Sequence, residues 1–365
     1  MSAALAFAIL LGAGLLGLAL RTEEQRRSAP PLPPPSPVPP GTVTVLLPVR
    51  DERANVLDCL DTLLAQTARP SVRVIDDGST DGTRELLMEL MTERAGPGLE
   101  LIDAGPLPDG WRGKVNGLAA GWRGVATPWV LLTDADARHG PELLARALAC
   151  ARERGLDAVS LAGTQEARGF GERLLIPAVF ALLDIQLGDW QATASGAGPA
   201  VANGQFILVR REAWDAAGGF ETVRNETLDD VALVARLRQS GFRTAFLREP
   251  ELRVRMYRGF GETWRGWRRN LGGLFGPRPR TLAAVLAVLL VPVLALAGFL
   301  AAGRWVEAAL LWSAGAAAST VFRSGSIYGL LYPLDALLLA VLLSLGSADR
   351  RRGRLATWKG REIRF

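Results

Sequence analysis

Ser2 to Leu20 contains no charged residue and is long enough to cross a bilayer as a helix. Such a run narrows what the chain can be, because backbone inside hydrocarbon must satisfy its hydrogen bonds within a helix or a closed barrel. No Lys or Arg precedes it, and Arg21, Arg26 and Arg27 follow, the reverse of a cleaved leader. The segment is therefore expected to be a retained anchor, residues 1–21, with its C-terminal end in the cytoplasm. A linker, residues 22–41, follows. Its proline run Ala29 to Gly41 favours extended polyproline geometry, a semi-rigid spacer rather than an SH3-type ligand.

Apolar sequence returns at the far end. Thr281–Ala302 reads as a transmembrane helix, and Trp305–Val321 and Ile327–Leu345 are weaker candidates because they carry Glu307 and Asp335. Together they make a membrane region, residues 279–347, followed by a basic tail, 348–365, holding Arg350, Arg351, Arg352, Arg354, Lys359, Arg361 and Arg364. Three spans after a cytoplasmic catalytic region would leave this tail outside, against the positive-inside rule, so one later segment is expected not to cross. Leu174–Leu187 is apolar but short and holds Pro177, which suits either a surface or re-entrant helix or a buried core helix. The expected location is the inner cell membrane, multi-pass, with the catalytic region cytoplasmic.

The net charge is only +5 and no basic stripe carries interleaved aromatics, so nucleic acid is not an expected partner. Cys59 and Cys150 are the only cysteines, and they have no metal-ligand spacing. The single histidine, His139, leaves little room for a His-based triad or a zinc cluster.

From Thr42 the pattern is that of a parallel α/β sheet. Strands are expected at Val43–Leu47, Val72–Ile75, Leu99–Ile102, Trp129–Thr133 and Ala158–Leu161. Helices are expected at Ala54–Thr67, Thr83–Ala95, Lys114–Val125 and Pro141–Arg154. Ligands in such sheets bind beyond the carboxyl ends of the strands, and the polar motifs stand there. After the first strand comes PVRDERAN, in which Pro48 is expected to stop the strand while Arg50, Asp51 and Glu52 put charge at its mouth. Taken alone, it reads most simply as a solvated loop. After the second comes DDGSTDGT, where Asp76 and Asp77 can accept hydrogen bonds from a base or a ribose. After the fourth comes TDADARHG, whose Asp134 and Asp136 would share one side of an extended segment. Two carboxylates so placed suit Mg2+ or Mn2+, which keep further positions for substrate phosphates. In GWRGKVNG, Lys114 at a helix start offers charge to a diphosphate, and Trp111 suits either a sugar ring or the core.

The order and identity of these motifs resemble the family 2 glycosyltransferases of GT-A fold, in the membrane branch acting on carotenoid or hopanoid-type lipids. PLPDGWRGK, RMYRGF and the terminal WKGR carry that likeness, which spans roughly Thr42 to Asn270. The resemblance implies an α/β GT-A domain, Rossmann-like with a mostly parallel sheet, over residues 42–278, between N- and C-terminal transmembrane helices. It implies that Asp77 binds the nucleobase, in a donor site with Pro48, Arg50, Glu52, Asp76 and Lys114. It implies that Asp134 and Asp136 hold ribose and metal–diphosphate, with Asp136 as the metal ligand, and that Asn203 and Gly204 of VANGQF line the sugar or acceptor side. The family's Glu-Asp pair is Asp229-Asp230 in this chain; Asp230 matches the base and Asp229 replaces Glu. An acidic helix start stabilised by the dipole is the alternative for that pair. The Q-x-x-R-W element is absent, and ETWRGWRRN, with Trp267 and Arg268, stands in its place. RMYR, with Arg255 and Arg258, lies nearby; both stretches suit either the diphosphate and acceptor side or a juxtamembrane aromatic-basic belt.

The expected activity is transfer of a sugar from a UDP- or GDP-sugar to a lipid, carotenoid- or isoprenoid-like hydroxyl, inverting and metal-dependent. A processive polysaccharide synthase or a polyprenyl-phosphate glycosyltransferase is the nearest alternative. A nucleotidyltransferase or a non-enzymatic scaffold stands further off.

Overall fold

The computed structural model describes residues 1–93, 98–275, 278–354 and 356–363. Its contacts divide the chain into two compact units, each made of separated stretches. One is Ala29–Glu166 with Asp189–Met256; the other is Met1–Ser28, Ala167–Gly188 and Tyr257–Phe365.

The first unit is a sheet flanked by helices. Its strands are β1 (Val43–Val49), β2 (Ser71–Asp76), β3 (Leu99–Asp103), β4 (Trp129–Leu132), β5 (Ala137–His139), β6 (Ala158–Gln165), β7 (Ile207–Arg210) and β8 (Thr244–Val254), in the order β3-β2-β1-β4-β7-β6-β8-β5. The run β3-β2-β1-β4 is parallel, β7 is antiparallel to both β4 and β6, β6 and β8 are parallel, and β5 returns antiparallel to β8. The sheet is thus more mixed than the sequence suggests. β4 and almost all of β1 are buried on both faces, as a sheet covered by helices requires. Successive side chains alternate between the two cores: Val45 and Leu47 pack with Leu60, Leu63 and Leu148, while Leu46 packs with Val115, Trp214 and Leu237.

Two expectations need correction. Pro48 does not stop β1, which runs to Val49 with Pro48 opposite Ile75 of β2. Leu46 and Pro48 face the β4 side and Val49 faces β2, whose following residue Asp77 donates to the Val49 carbonyl at 2.9 Å. The ladder to β4 ends at Leu132, so the missing N–H of Pro48 costs no strand-pairing bond. The second concerns the proline segment, which is not a free spacer. Leu32 is buried in the core, and Arg146 donates to the carbonyls of Leu32 and Pro33, both at 3.2 Å. The expected helices form with shifted ends: Val56–Leu64, Thr83–Glu93, Gly113–Trp122 and Leu143–Arg154. The end of the helix expected at Thr83–Ala95 lies outside the described residues.

The second unit is helical. Ala3–Arg27, Pro279–Ala301, Trp305–Phe322 and Ile327–Arg351 are each long and apolar enough to cross a membrane. With them pack Phe170–Leu187, which contains the short apolar stretch expected from Leu174, and Gly259–Phe275.

Candidate active site

The polar residues at the carboxyl ends of β1, β2 and β4 meet in the first unit. The loops after β1 and β2 are stitched together, so PVRDERAN is not simply a solvated loop. The Asp51 carboxylate accepts from the Thr80 N–H at 2.7 Å, and the Glu52 N–H donates to Thr83 Oγ1 at 2.9 Å. Arg50 reaches the carbonyls of Asp77 and Gly78. Asp51 holds a left-handed φ of 51°, tolerated by its side-chain hydrogen bonds. Asp76 is fully buried, with one oxygen accepting from the Ser79 N–H at 3.1 Å and the other from Arg84 at 3.0 Å. Its adjacent neighbour Asp77 is also buried.

Asp134 and Asp136 do not lie on an extended segment. They sit on the turn joining β4 to β5, closed by the Ala137 N–H donating to the Asp134 carbonyl at 3.2 Å. Ala135 between them is buried in the core, while Asp134 and Asp136 are each partly exposed. The turn is braced from below. Thr133 Oγ1 donates to the Gln205 carbonyl at 2.7 Å and lies 3.1 Å from His139 Nε2. Burial, with Arg138 alongside, holds His139 down to about 3, so the ring is neutral. Cys59 Sγ lies 3.6 Å from the Asp134 carbonyl; burial pushes its thiol up, and it acts as packing. The Arg255 N–H reaches the Asp136 carbonyl at 3.0 Å, tying the end of β8 to the turn.

Lys114, on the first turn of Gly113–Trp122, is the hub. Its Nζ is 2.8 Å from Asp134 Oδ1 and 3.5 Å from Asp229 Oδ2. Burial disfavours its charge, but Asp134, Asp229 and Asp230 outweigh burial and raise its pKa. Asp229 and Asp230 open the helix Asp229–Gln239. Asp230 Oδ2 accepts from the Gly204 N–H at 2.9 Å and Oδ1 from the Val231 N–H at 2.8 Å. Burial and the neighbouring Asp229 charge lift Asp230 to about 6, against the lowering pull of Lys114 and those two N–H groups. Gly204 leaves room for the charged groups: a Cβ there would fall 2.6 Å from Lys114 Nζ and 3.2 Å from Asp134 Oδ2, so a side chain would displace the ammonium. Asn203 turns its side chain to Gln205, donating to Oε1 at 2.7 Å. Trp111 packs against the core cluster containing Val115 and Trp214. A small cavity is lined by Pro48, Lys114, Thr133, Gly204, Asp229 and Asp230 among others.

The remaining expected residues belong to the helical unit. Trp267 is buried edge-on against Phe180 and Tyr257, and Arg268 pairs with Asp349 at 2.6 Å. The Arg258 N–H donates to Glu262 at 2.9 Å. The clearance at Gly204 and the brace of Thr133 and His139 carry no local sequence signal, since their partners are remote in the chain.

A family model described as "Glycosyltransferase like family 2" matches residues 39–273. Two relatives from Staphylococcus aureus, strains USA300 and MRSA252, are named 4,4'-diaponeurosporenoate glycosyltransferase. They are 25% and 26% identical over 253 residues, which is 67% of this chain and 64% of theirs. The match thus spans less than two thirds of those relatives. A mannosyltransferase from Pyrobaculum calidifontis, solved in complex with GDP-Man and Mn2+, superposes with a TM-score of 0.58 at 22% identity, covering 93% of this chain and 99% of that one.

Proposed function

This chain belongs to the family 2-like glycosyltransferases, of GT-A fold, and from that premise we propose that it transfers a sugar from a nucleotide-diphosphate donor to the hydroxyl of a membrane lipid. The observation that carries the reading is the gathering of Lys114, Asp134, Asp229 and Asp230 around the bare backbone of Gly204.

In this reading Asp77, with the stitched loops of Arg50 and Glu52, receives the nucleoside, and Asp76 holds that corner rigid. Lys114 turns from Asp134 towards the diphosphate. Asp230, lifted to about 6, is a base matched to neutral pH. It takes the acceptor's proton while that oxygen attacks the anomeric carbon and the nucleoside diphosphate leaves, so the sugar inverts. Asp229 keeps Asp230 basic by charge repulsion and shares Lys114.

A divalent cation fits the pair Asp134 and Asp136. Among the described residues no group of three or more His, Cys, Asp or Glu side chains gathers for a metal, so the protein offers at most two hard carboxylates there. Mg2+ and Mn2+ bind through one or two carboxylates plus substrate phosphates, and Asp136 would hold such an ion with Asp134 beside it. The ion would supply charge neutralisation to the departing diphosphate.

The lipid acceptor rests on the apolar helices and on relatives named for acting on 4,4'-diaponeurosporenoate. The test uses washed membranes, Mn2+ and radiolabelled UDP- and GDP-sugars, followed by lipid extraction. Label enters the lipid phase with the unaltered protein and not with Asp136→Ala or Asp230→Asn. Equal incorporation by all three proteins would overturn the assignment.

A further inference from the structure

Among the described residues four helices are long and apolar enough to cross a membrane, and four crossings would part the chain's basic C-terminal end from the residues 29–278 that precede the second candidate. Mean hydropathy alone would discard Trp305–Phe322, the weakest at 1.2, and keep Ile327–Arg351 at 1.9. The packing within the helical unit says the opposite.

Ala3–Arg27 and Trp305–Phe322 lie side by side and parallel. Arg304 donates to Ser2 Oγ at 2.9 Å, which pairs their first turns at an offset of 302 residues. Ten residues on, Gly12 abuts Ala314 so closely that a Cβ would fall 2.8 Å from the Ala314 Cβ, and the offset is unchanged. Small residues at such a contact are how helices approach in lipid. The far ends of the two helices also share a partner, the helix Phe170–Leu187. Arg26 pairs with its Asp184 at 3.3 Å, and Arg323 donates to its Arg173 and Leu174 carbonyls at 2.6 and 2.8 Å. Two helices in register over their length cross together, so Trp305–Phe322 crosses if Ala3–Arg27 does. Arg323 then emerges on the same side as Arg26.

Tyr332–Arg351 starts on that side and is held there at both ends. Near its start, Asp335 pairs with Arg323. Near its end, Asp349 pairs with Arg268 at 2.6 Å, and Gly346 meets Gly272 backbone to backbone, with a Gly272 Cβ falling 2.6 Å from the Gly346 carbonyl. Twenty residues of helix extend about 30 Å. Crossing would carry Asp349 to the opposite face and take Gly259–Phe275 through the hydrocarbon with it. That helix holds Glu262, Arg265, Arg268 and Arg269, and charged groups in mid-bilayer are costly.

We infer that this chain crosses the membrane three times, and that Tyr332–Arg351 lies along one leaflet as an interfacial helix whose partner is the lipid surface. Half of the best apolar stretch within Ile327–Arg351 is buried, against 17% and 28% for the other candidates. Its buried side carries Asp335, Leu339, Leu342, Leu343, Ser347 and Asp349. Its exposed side carries Leu334, Leu337, Val341 and Leu345, at steps of three and four residues, a single apolar stripe. Arg350, Arg351 and Arg352 end the helix, where anionic headgroups would meet them. The acyl layer is the occupant that continues from the neighbouring spans onto this stripe.

Sidedness can be read without any assay of transfer, so failure here is distinct from failure of the proposed activity. The full chain carrying Ala65→Cys, Ala302→Cys or Arg352→Cys is exposed to a membrane-impermeant maleimide in sealed vesicles of each orientation. Cys59 and Cys150 are buried and serve as silent controls. Labelling of Arg352→Cys from the same side as Ala65→Cys, with Ala302→Cys labelled only from the other, is the expected result. Labelling of Arg352→Cys with Ala302→Cys, or only after detergent, overturns the inference. A fluorophore on Leu337→Cys is expected to be quenched several-fold more by lipids brominated near the headgroup than by lipids brominated near the chain terminus. The reverse order would place the helix across the bilayer and sink the proposal.

Discussion

At the scale of single residues, the site is a balance of like charges around one ammonium. Because Asp230 must be ionised to accept a proton, transfer by the unaltered protein is expected to rise with pH through about 6 and level off above it. Lys114 lowers the pKa of Asp230, so Lys114→Gln should move that midpoint upward and weaken donor binding, as pH–rate profiles and donor titrations would show. Gly204→Ala tests the clearance between Lys114, Asp134 and Asp230. Displacing catalytic groups by about 1 Å costs on the order of 100-fold in rate. That loss is expected with a thermal midpoint close to that of the parent, because the Cβ meets side-chain ends rather than core. Asp77, Asp134 and Asp136 stood out in the sequence because acidic motifs recur at the ends of successive apolar strands, where such sheets bind ligands. Asn203, Gly204 and Asp230 came into view through the family likeness. The Thr133–His139 brace needed the fold.

At the scale of elements, the parallel half of the sheet was legible from its short β-branched runs. In the other half only β6 was, as the strand expected at Ala158–Leu161. β5 and β7 hold only three and four residues, and β8 carries Arg248, Glu249, Pro250 and Glu251, which mask any alternation. The helix Phe170–Leu187 shows how elements compensate one another. Pro177 cannot donate to the Arg173 carbonyl, and Arg323, brought from another helix, donates to it instead. Asp335 balances the guanidinium. Arg323→Ala would leave the buried Asp335 carboxylate without its cation and the Arg173 carbonyl without a donor, a loss of about 3–5 kcal/mol. The double change Arg323→Leu with Asp335→Leu should recover much of it. Thermal unfolding in lipid nanodiscs would rank the two, and equal midpoints would remove the pair from the stabilising contacts.

At the scale of the whole molecule, the sequence suggests consecutive regions, whereas each compact unit is assembled from separated stretches. The first helix is therefore more than a detachable anchor. Ala8 and Leu296 pack with Phe299, Ala308 and Leu311, and Arg26 holds Asp184. Removing residues 1–28 should leave the protein in the membrane fraction through its later helices but lower its thermal midpoint and favour aggregation on size-exclusion in detergent. An undiminished midpoint would mean that the first helix is dispensable to the fold. The side-by-side packing of Ala3–Arg27 with Trp305–Phe322 also has a consequence in time. Their paired turns are 302 residues apart, so at roughly 5–20 residues per second the ribosome delivers the second partner roughly 15–60 s after the first. For that interval the first helix waits in the bilayer alone, and because Ala3 to Leu20 carries no charged side chain it can wait without a chaperoning neighbour.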